Sequence, residues 1–159
     1  MNGKVFFDTN VLVYALAVRV GSRVDPRTVK AEELLSAGGV VSVQVLNEFA
    51  DVASWKLKMK WEAIAGSLDL IDVLCGRAIP LTADTNRAAV GLSKQHGFRI
   101  YNALILAAAI EAGCSTLLTE DLRHGQVVEG VRIENPFLLP RLPDRQIYRA
   151  PTSSSLLAL

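Results

Sequence analysis

The chain has 159 residues with 17 Lys and Arg against 16 Asp and Glu, a net charge of +1, and half of its residues are apolar. This length and composition fit one domain with a sizeable core and exclude a chain that is disordered throughout. The nearly balanced charge excludes a strongly basic nucleic-acid binder, so any binding of RNA must depend on local charge.

The two cysteines, Cys75 and Cys114, lie inside apolar stretches, which is typical of reduced structural thiols. The first residues run directly into a strand-like segment without a basic region or a cleavage site, so we expect no secretory leader. No segment approaches the roughly 18 uninterrupted apolar residues of a membrane span. The sequence therefore predicts a cytoplasmic protein without a membrane segment.

The segment from Trp55 to Trp61 interleaves three lysines with apolar residues. One interpretation is a solvated helix end whose tryptophans pack inward. The other is a local RNA-binding surface, since lysines and aromatic rings contact phosphates and bases. The sequence leaves both interpretations open, and we favour the first.

Apolar runs and helix signals alternate along the chain, beginning with Val5 to Phe7, which is typical of a buried strand. Asp8 follows this run at once, and the apolar spacing over residues 11–18 then indicates a helix. A second helix opens at Asp25-Pro26 and closes at Gly38-Gly39, since proline suits the first helical turn and glycine the end.

The alternation continues to residue 133. Residues 40–41 are a second predicted strand, and Ser42 is predicted to cap a helix on which Glu48 borders the apolar stripe. The later predicted elements are helices over 61–74, 82–97 and 101–112 and strands over 78–81, 115–119 and 131–133.

Strands separated by helices predict an α/β fold, in which a central parallel sheet carries helices on both faces. We place one domain over residues 1–138. Residues 139–159 contain three prolines and a serine run without periodicity, and they are predicted to form a C-terminal tail, docked or disordered.

Acids follow two of the predicted strands, Asp8 after the first and Asp121 after the strand at 115–119. In open parallel sheets, functional groups gather beyond the carboxyl ends of the strands. Glu48, and Asn102 at the start of a helix, can project toward the same edge. Hard oxygen ligands in one cleft suit Mg²⁺ or Mn²⁺, which activates water and stabilises charge on a phosphate.

Each of these residues also has a structural interpretation. Asp8 and Asp121 can act only as helix caps or turn formers, Glu48 can be an exposed surface acid, and Asn102 can be an ordinary polar residue of a first helical turn. His124 lies in a glycine-containing loop, where histidines are usually solvated. It is only three residues past Asp121, however, and can therefore contact bound RNA. Spacing alone therefore leaves both the metal site and the structural interpretations open.

Four segments carry a family resemblance: FFDTNVLVYAL, VSVQVLNEFADV, FRIYNALILAAAIEAGCSTLLTEDLRHGQ and VRIENPF. Together they resemble the PIN-domain ribonucleases, in particular the VapC-like toxins of type II toxin–antitoxin pairs, over about residues 3 to 138. The resemblance implies a three-layer α/β/α sandwich with a central parallel sheet and divalent-metal-dependent hydrolysis of RNA. It also implies a cognate antitoxin protein as partner and a homodimer.

The resemblance assigns residues as well. It implies that Asp8, Glu48 and Asp121 form an acidic pocket that binds the metal. It implies that four further residues bind RNA or support the metal ligands: Thr9, Asn10, Thr119 and Glu120. His124 is added to this set because of its position three residues after Asp121.

One departure from the family pattern bears on activity. Where the family has Asp-Ala-Leu-Ile at the start of the alanine-rich helix, this chain has Asn102 before Ala-Leu-Ile. An amide keeps one carbonyl oxygen but loses the negative charge, so it attracts a cation less well. A naturally tolerated variant and a deliberate Asp→Asn change that silences a toxic nuclease both stay open, and the close match of the flanking residues favours the second.

Three functions follow as alternatives. The first is a metal-dependent endoribonuclease toxin in which Asn102 weakens catalysis. The second is a catalytically inert PIN module that binds RNA or a protein partner. The third, a receiver-like phosphoacceptor at Asp8, needs an acid pair and a lysine after a later strand, and the sequence shows neither.

Overall fold

A computed structural model describes residues 3–16 and 25–139. The described strands are β1 Val5–Phe7, β2 Thr116–Leu118, β3 Val127–Val128 and β4 Val131–Glu134. The described helices are α1 Thr9–Leu16, α2 Pro26–Ser36, α3 Val43–Trp55, α4 Trp61–Cys75, α5 Ala83–His96 and α6 Ile100–Glu111. The end of the first predicted helix, residues 17–18, and nearly all of the predicted tail, residues 140–159, lie outside the described residues.

The strands form one sheet in the order β1-β2-β4-β3. β1 pairs parallel to β2 and β2 pairs parallel to β4, with Phe7 opposite Leu118 and Leu118 opposite Glu134. The carboxyl ends of these strands therefore lie in a row along one edge of the sheet. This edge is where the sequence predicts the functional residues.

Both faces of the sheet are covered. Adjacent residues of a strand point to opposite faces, and Phe6 and Phe7 are 0% and 1% exposed. Leu117 and Leu118 on β2 are also buried. Because parallel strands are buried on both sides only when other elements cover both sides, the burial pattern confirms the predicted sandwich.

Two predicted strands are reduced to single bridges. Val40 pairs with Phe6 and Ser42 pairs with Ile79, both in parallel. The Val40 N–H donates to Val5 O at 2.8 Å and the Ile79 N–H donates to Val41 O at 2.9 Å. Residues 40–42 and 79 thus extend the parallel order beyond β1, although neither segment forms a full strand.

β3, a strand that the sequence did not predict, adds an antiparallel edge to the predicted central parallel sheet, because it pairs antiparallel with β4. The two strands are joined by a tight turn in which Glu129 and Gly130 have φ of +46° and +84°. A two-residue turn with positive φ at both positions matches the twist of a hairpin, and its usual sequences are Asn-Gly and Asp-Gly. Glutamate at the first position is unusual, which explains why the sequence pattern did not indicate this hairpin.

The predicted helix ends are confirmed where local chemistry sets them. Asp25 caps α2 by accepting from the Arg27 N–H, and the Ser42 hydroxyl caps α3 by accepting from the Val45 N–H. Thr82 begins α5 with a capping box, and Gly97 ends it at φ +74°. In the part of the chain that the structure describes, no helix combines the length and apolar character of a membrane span.

Candidate active site

Asp8 lies directly after β1 and is almost fully buried, with 3% of its surface exposed. The Thr9 N–H donates to its Oδ1 at 2.6 Å, and the Thr119 hydroxyl donates to its Oδ2. A third donor, Asn10 Nδ2, lies 3.3 Å from Oδ2. The carboxylate is therefore held by donors that come from two neighbouring strand ends, which a simple turn former would not require.

Burial raises the pKa of Asp8 from 3.8 to about 6, because desolvation disfavours the charged form. The hydrogen bonds from Thr119 and Thr9 oppose this rise, and the charges of Asp121 and Glu48 add to it. The fields of both other acids therefore reach Asp8. The three carboxylates form one electrostatic cluster at the sheet edge.

Asn10 and Thr119 connect Asp8 to Asp121. Asn10 Nδ2 lies 3.3 Å from Asp121 Oδ2 as well as from Asp8 Oδ2, so one amide nitrogen stands between the two carboxylates. The Asp121 N–H donates to Thr119 Oγ1 at 3.0 Å. Thr119 is fully buried and thus fixes the backbone of Asp121 and the side chain of Asp8 together.

Glu48 joins the cluster from α3. Its Oε2 accepts from Thr9 Oγ1 at 3.4 Å, and its Oε1 accepts from Gln44 Nε2 at 2.8 Å. Gln44 is buried and lies one helical turn before Glu48, so the two side chains share a face of α3. Sequence reasoning missed Gln44, although its four-residue spacing from the acid was the available signal.

Among the residues that the structure describes, no ion pair balances the negative charge of the cluster. Within the described ranges, no Lys, Arg or His side chain forms an ion pair with Asp8, Glu48 or Asp121. The buried Asn10 Oδ1 also has no hydrogen-bond partner there. Carboxylates without an ion-pair partner and an amide oxygen without a hydrogen-bond partner are the hard donors that Mg²⁺ and Mn²⁺ prefer, so the donor chemistry of these residues suits such an ion.

The three acids are connected through Thr9, Asn10 and Thr119 and do not meet directly. Among residues 3–16 and 25–139, no three Asp, Glu, His or Cys side chains are grouped closely enough to hold one ion between them. The assignment of Asp8, Glu48 and Asp121 as metal ligands therefore stays a prediction.

The other predicted site residues have different surroundings. Asn102 is half-buried in the first turn of α6, which packs on α3 and β2, and its side chain makes no hydrogen bond to the described residues. His124 Nδ1 accepts from the Asn135 N–H at 3.0 Å. Glu120 points away from the acid cluster, because its Oε1 accepts from the Tyr14 hydroxyl at 2.6 Å.

Tyr14 and Arg27 form a connection that the sequence did not indicate. Arg27 Nη1 donates to the Tyr14 hydroxyl at 2.7 Å, and Arg27 Nη2 contacts Asp25 at 2.7 Å. Burial, followed by the hydrogen bond to Glu120, raises the pKa of Tyr14 to about 12. This chain of contacts connects α2, α1 and the residue before Asp121, and it gives Glu120 a structural role.

The basic segment between α3 and α4 differs from the favoured interpretation. Trp55 and Trp61 are 72% and 66% exposed, so the expectation that they pack inward is wrong. Lys58 Nζ lies 5.5 Å from the centre of the Trp55 ring. In their place, the half-buried Met59 packs against the core. An RNA-binding role for this segment stays a prediction.

Thr119→Val is expected to lower the free energy of unfolding at pH 7 in EDTA by about 1–3 kcal/mol, because a buried charged acid loses a hydrogen bond. Since the Thr119 hydrogen bond lowers the pKa of Asp8, its loss raises that pKa further above about 6. Urea denaturation measures the first effect, and carboxyl NMR of Asp8 measures the second. Thr116→Val, at the start of the strand that Thr119 follows, is the matched control. Equal stability of the two variants would contradict the role given to Thr119.

Fold and site together define a class: α/β proteins with a cluster of carboxylates at the carboxyl edge of a mostly parallel sheet. The sequence model of the PIN domain matches residues 5–129. The chain therefore belongs to the PIN-domain family, and the family resemblance found in the sequence is confirmed. No curated protein matches the chain in sequence.

Two solved structures have a similar fold. One is the toxin VapC20 of Mycobacterium tuberculosis, described as cleaving the sarcin-ricin loop, with a TM-score of 0.59 and 18% identity over 74% of this chain and 92% of that one. The other is VapBC2 of Rickettsia felis bound to a DNA fragment from its promoter, with a TM-score of 0.57 and 23% identity over 82% of this chain and 97% of that one. At these identities the similarity supports the fold alone.

Proposed function

We propose that the chain is an endoribonuclease of the VapC-like toxin class that depends on Mg²⁺ or Mn²⁺. One observation carries this proposal. Asp8 is buried directly after β1 at a cost to its ionisation and within the field of Glu48 and Asp121, and no Lys, Arg or His of the described residues forms an ion pair with it. A buried carboxylate with a raised pKa lowers the stability of the fold, whereas such carboxylates cluster at functional sites.

In this proposal, Asp8, Glu48 and Asp121 hold the ion, and Asn102 contributes at most a carbonyl oxygen. When bound, the ion lowers the pKa of a water for attack on the phosphodiester and stabilises the charge that develops on the phosphate. Asn10 and Thr119 keep the Asp8 and Asp121 carboxylates at a fixed separation, and Thr9 and Gln44 orient Glu48. Such supporting hydrogen bonds tune the ligands of a metal site.

The proposed partners are RNA as substrate, a cognate antitoxin and a second copy of the chain. Exposed apolar side chains on α2 and α4, which contact each other, support a protein-binding surface: they are Val29, Leu70 and Val73. An amphipathic helix of an antitoxin can lay its apolar face on such a surface. The cytoplasmic location stays a prediction.

Glu48→Gln tests the proposal. We expect Mn²⁺-dependent cleavage of a structured RNA to fall by at least about 100-fold. Loss of a residue that only supports a metal ligand costs about 10–100-fold in activity, and loss of a ligand should cost at least as much. Gln keeps the shape of Glu48, so α3 should stay folded. Asp51→Asn removes an exposed acid from the same helix and is the matched control, with cleavage unchanged.

The cleavage assay is run with Mn²⁺ and with EDTA, both on this chain and on a variant with aspartate in place of Asn102. RNA cleavage that continues in EDTA would contradict metal dependence. If neither protein cleaves any RNA, the nuclease proposal fails. The second candidate, an inert PIN module that binds RNA or a protein, would then be the better description, and Asn102 is the residue that favours it.

A further inference from the structure

The loop that follows Asp121 is a tight, anchored turn. Gly125 has a φ of +83°, which favours glycine, and its N–H donates to Ile133 O at 2.8 Å. The Ile133 N–H donates back to Gln126 O at 2.8 Å. The turn is therefore held against β4 by two main-chain hydrogen bonds, and its side chains have a fixed position relative to the sheet.

His124 is fixed in one tautomer by this turn. Its Nδ1 accepts the Asn135 N–H at 3.0 Å, so Nδ1 carries no proton. In a neutral imidazole the other nitrogen, Nε2, must then carry the proton and act as a donor. His124 is exposed, which leaves this donor directed to a ligand or to water.

The turn lies at the same sheet edge as the acid cluster. The Asp8 N–H donates to Leu118 O at 3.0 Å, and the Thr119 N–H donates to Glu134 O at 2.9 Å. Asp8, Thr119 and Asn135 therefore occupy successive places along the edge. With strands about 4.8 Å apart, Asn135 lies roughly 10 Å from Asp8. A bound RNA strand spans this distance within a few nucleotides.

The described residues that line an open cavity of about 370 Å³ all belong to this turn, and they are Arg123, His124, Gly125 and Gln126. These described lining residues include no acid. They offer the Arg123 guanidinium, the His124 Nε2–H and the Gln126 amide as donors. Arg123 forms no ion pair within the described ranges, so its charge is available.

We propose that this cavity binds a phosphate of the RNA strand, a few nucleotides from the phosphate that is cut. The inference rests on the proposed function and adds a substrate-positioning site to it. A phosphate presents acceptor oxygens and negative charge, which match the donors of Arg123, His124 and Gln126 and the lack of an acid among the described lining residues. The acid cluster alone repels the RNA backbone, and a cationic site beside it compensates for this repulsion.

The test measures binding without cleavage. Fluorescence anisotropy in EDTA gives the Kd of a labelled single-stranded oligouridylate, since phosphate contacts carry no sequence information. Arg123→Ala removes the charge. His124→Asn keeps an oxygen that can accept the Asn135 N–H but removes the donor at Nε2. His124→Gln keeps an amide donor near the Nε2 position. Arg87→Ala, on the exposed side of α5, is the matched control.

We expect Arg123→Ala and His124→Asn each to weaken binding about tenfold. His124→Gln should weaken it less, and Arg87→Ala should leave it unchanged. Arg123→Ala should also lower the slope of log Kd against log salt concentration by about 0.7, the value for one phosphate contact on a single strand. Circular dichroism verifies that the variants are folded.

The experiment distinguishes failure of the phosphate site from failure of the proposed function. If the unaltered chain cleaves and binds RNA but Arg123→Ala and His124→Asn bind as tightly as Arg87→Ala, the phosphate site is wrong and the proposed function stands. An effect of Arg123→Ala without an effect of His124→Asn also contradicts the site, because removal of any general charge could produce it. If the unaltered chain binds no RNA in EDTA but cleaves RNA with Mn²⁺, the phosphate site is wrong and the proposed function stands. If it neither binds nor cleaves RNA, both proposals are wrong.

Discussion

Asn102→Asp is expected to raise the rate of Mn²⁺-dependent RNA cleavage by about 100-fold, the scale on which electrostatic groups at a reacting centre act. The variant adds a full negative charge and a second carboxyl oxygen to the first turn of α6, which packs on the helix that carries Glu48. The first turn of α6 contains no acid, so a carboxylate there is also favourable for the helix dipole. The gain in activity should therefore carry no loss of stability. A cleavage assay with Mn²⁺, repeated in EDTA as the metal-free control, measures the gain in cleavage rate.

Asn86→Asp is the control for this gain, because it makes the same change near the start of α5. It should leave the cleavage rate unchanged. If Asn102→Asp cleaves RNA no faster than Asn86→Asp, the position of Asn102 does not limit catalysis, and the interpretation that this residue silences the site is wrong.

Asp8→Asn is expected to abolish cleavage and, at the same time, to stabilise the fold in EDTA at pH 7. Because the pKa of Asp8 rises from 3.8 in the unfolded chain to about 6, keeping it ionised costs the folded state about 3 kcal/mol. The amide removes this cost and loses about 1 kcal/mol of hydrogen bonding. A net gain of about 2 kcal/mol corresponds to a rise in Tm of about 4–8 °C for a chain of this size.

This stability difference has a defined pH dependence. Between pH 3.8 and about 6 the folded chain holds a proton on Asp8 that the unfolded chain has released. The contribution of Asp8 to the free energy of unfolding is therefore greatest below 3.8 and is lost as the pH rises through about 6. The advantage of Asp8→Asn should shrink as the pH falls across this interval. Thermal denaturation at several pH values measures it.

Mn²⁺ should reverse the order of stability, because an ion that binds only the folded state raises its stability. The unaltered chain should gain Tm with Mn²⁺, whereas Asp8→Asn should not. Asp72→Asn, at an exposed position on α4, is the control and should change neither result. An Asp8→Asn variant that is less stable than the parent in EDTA at pH 7 would contradict the account of Asp8.

Local signals allowed much of the fold to be predicted. Ser42 as the cap of α3, Asp25-Pro26 as the start of α2 and Gly97 as the end of α5 depend on residues close in sequence, and all three are confirmed. The hairpin of β3 and β4 was missed because Glu129 adopts a positive φ that its residue type does not indicate. The exposure of Trp55 was also missed, since apolar spacing does not reveal which side of a loop the core lies on.

For the site, the sequence predicted which acids follow strands but not how they are held. Asp8 and Asp121 are more than a hundred positions apart, and their connection through Asn10 and Thr119 depends on the pairing of β1 with β2. Glu120 and Asp121 are adjacent in sequence, yet Glu120 contacts Tyr14 and not the cluster. Such differences arise from tertiary contacts, which residue type and spacing do not specify.

The central claim is the proposal that Asp8, Glu48 and Asp121 are the residues through which the chain binds a divalent cation, and titration with Mn²⁺ tests it most directly. Electron paramagnetic resonance measures free Mn²⁺, and its signal falls when the ion binds to protein. The account predicts that the unaltered chain binds Mn²⁺, that Mg²⁺ competes, and that Asp8→Asn and Glu48→Gln each lose this binding. The account would be contradicted if the unaltered chain left the signal of free Mn²⁺ unchanged. It would also be contradicted if both variants lowered this signal as much as the unaltered chain does.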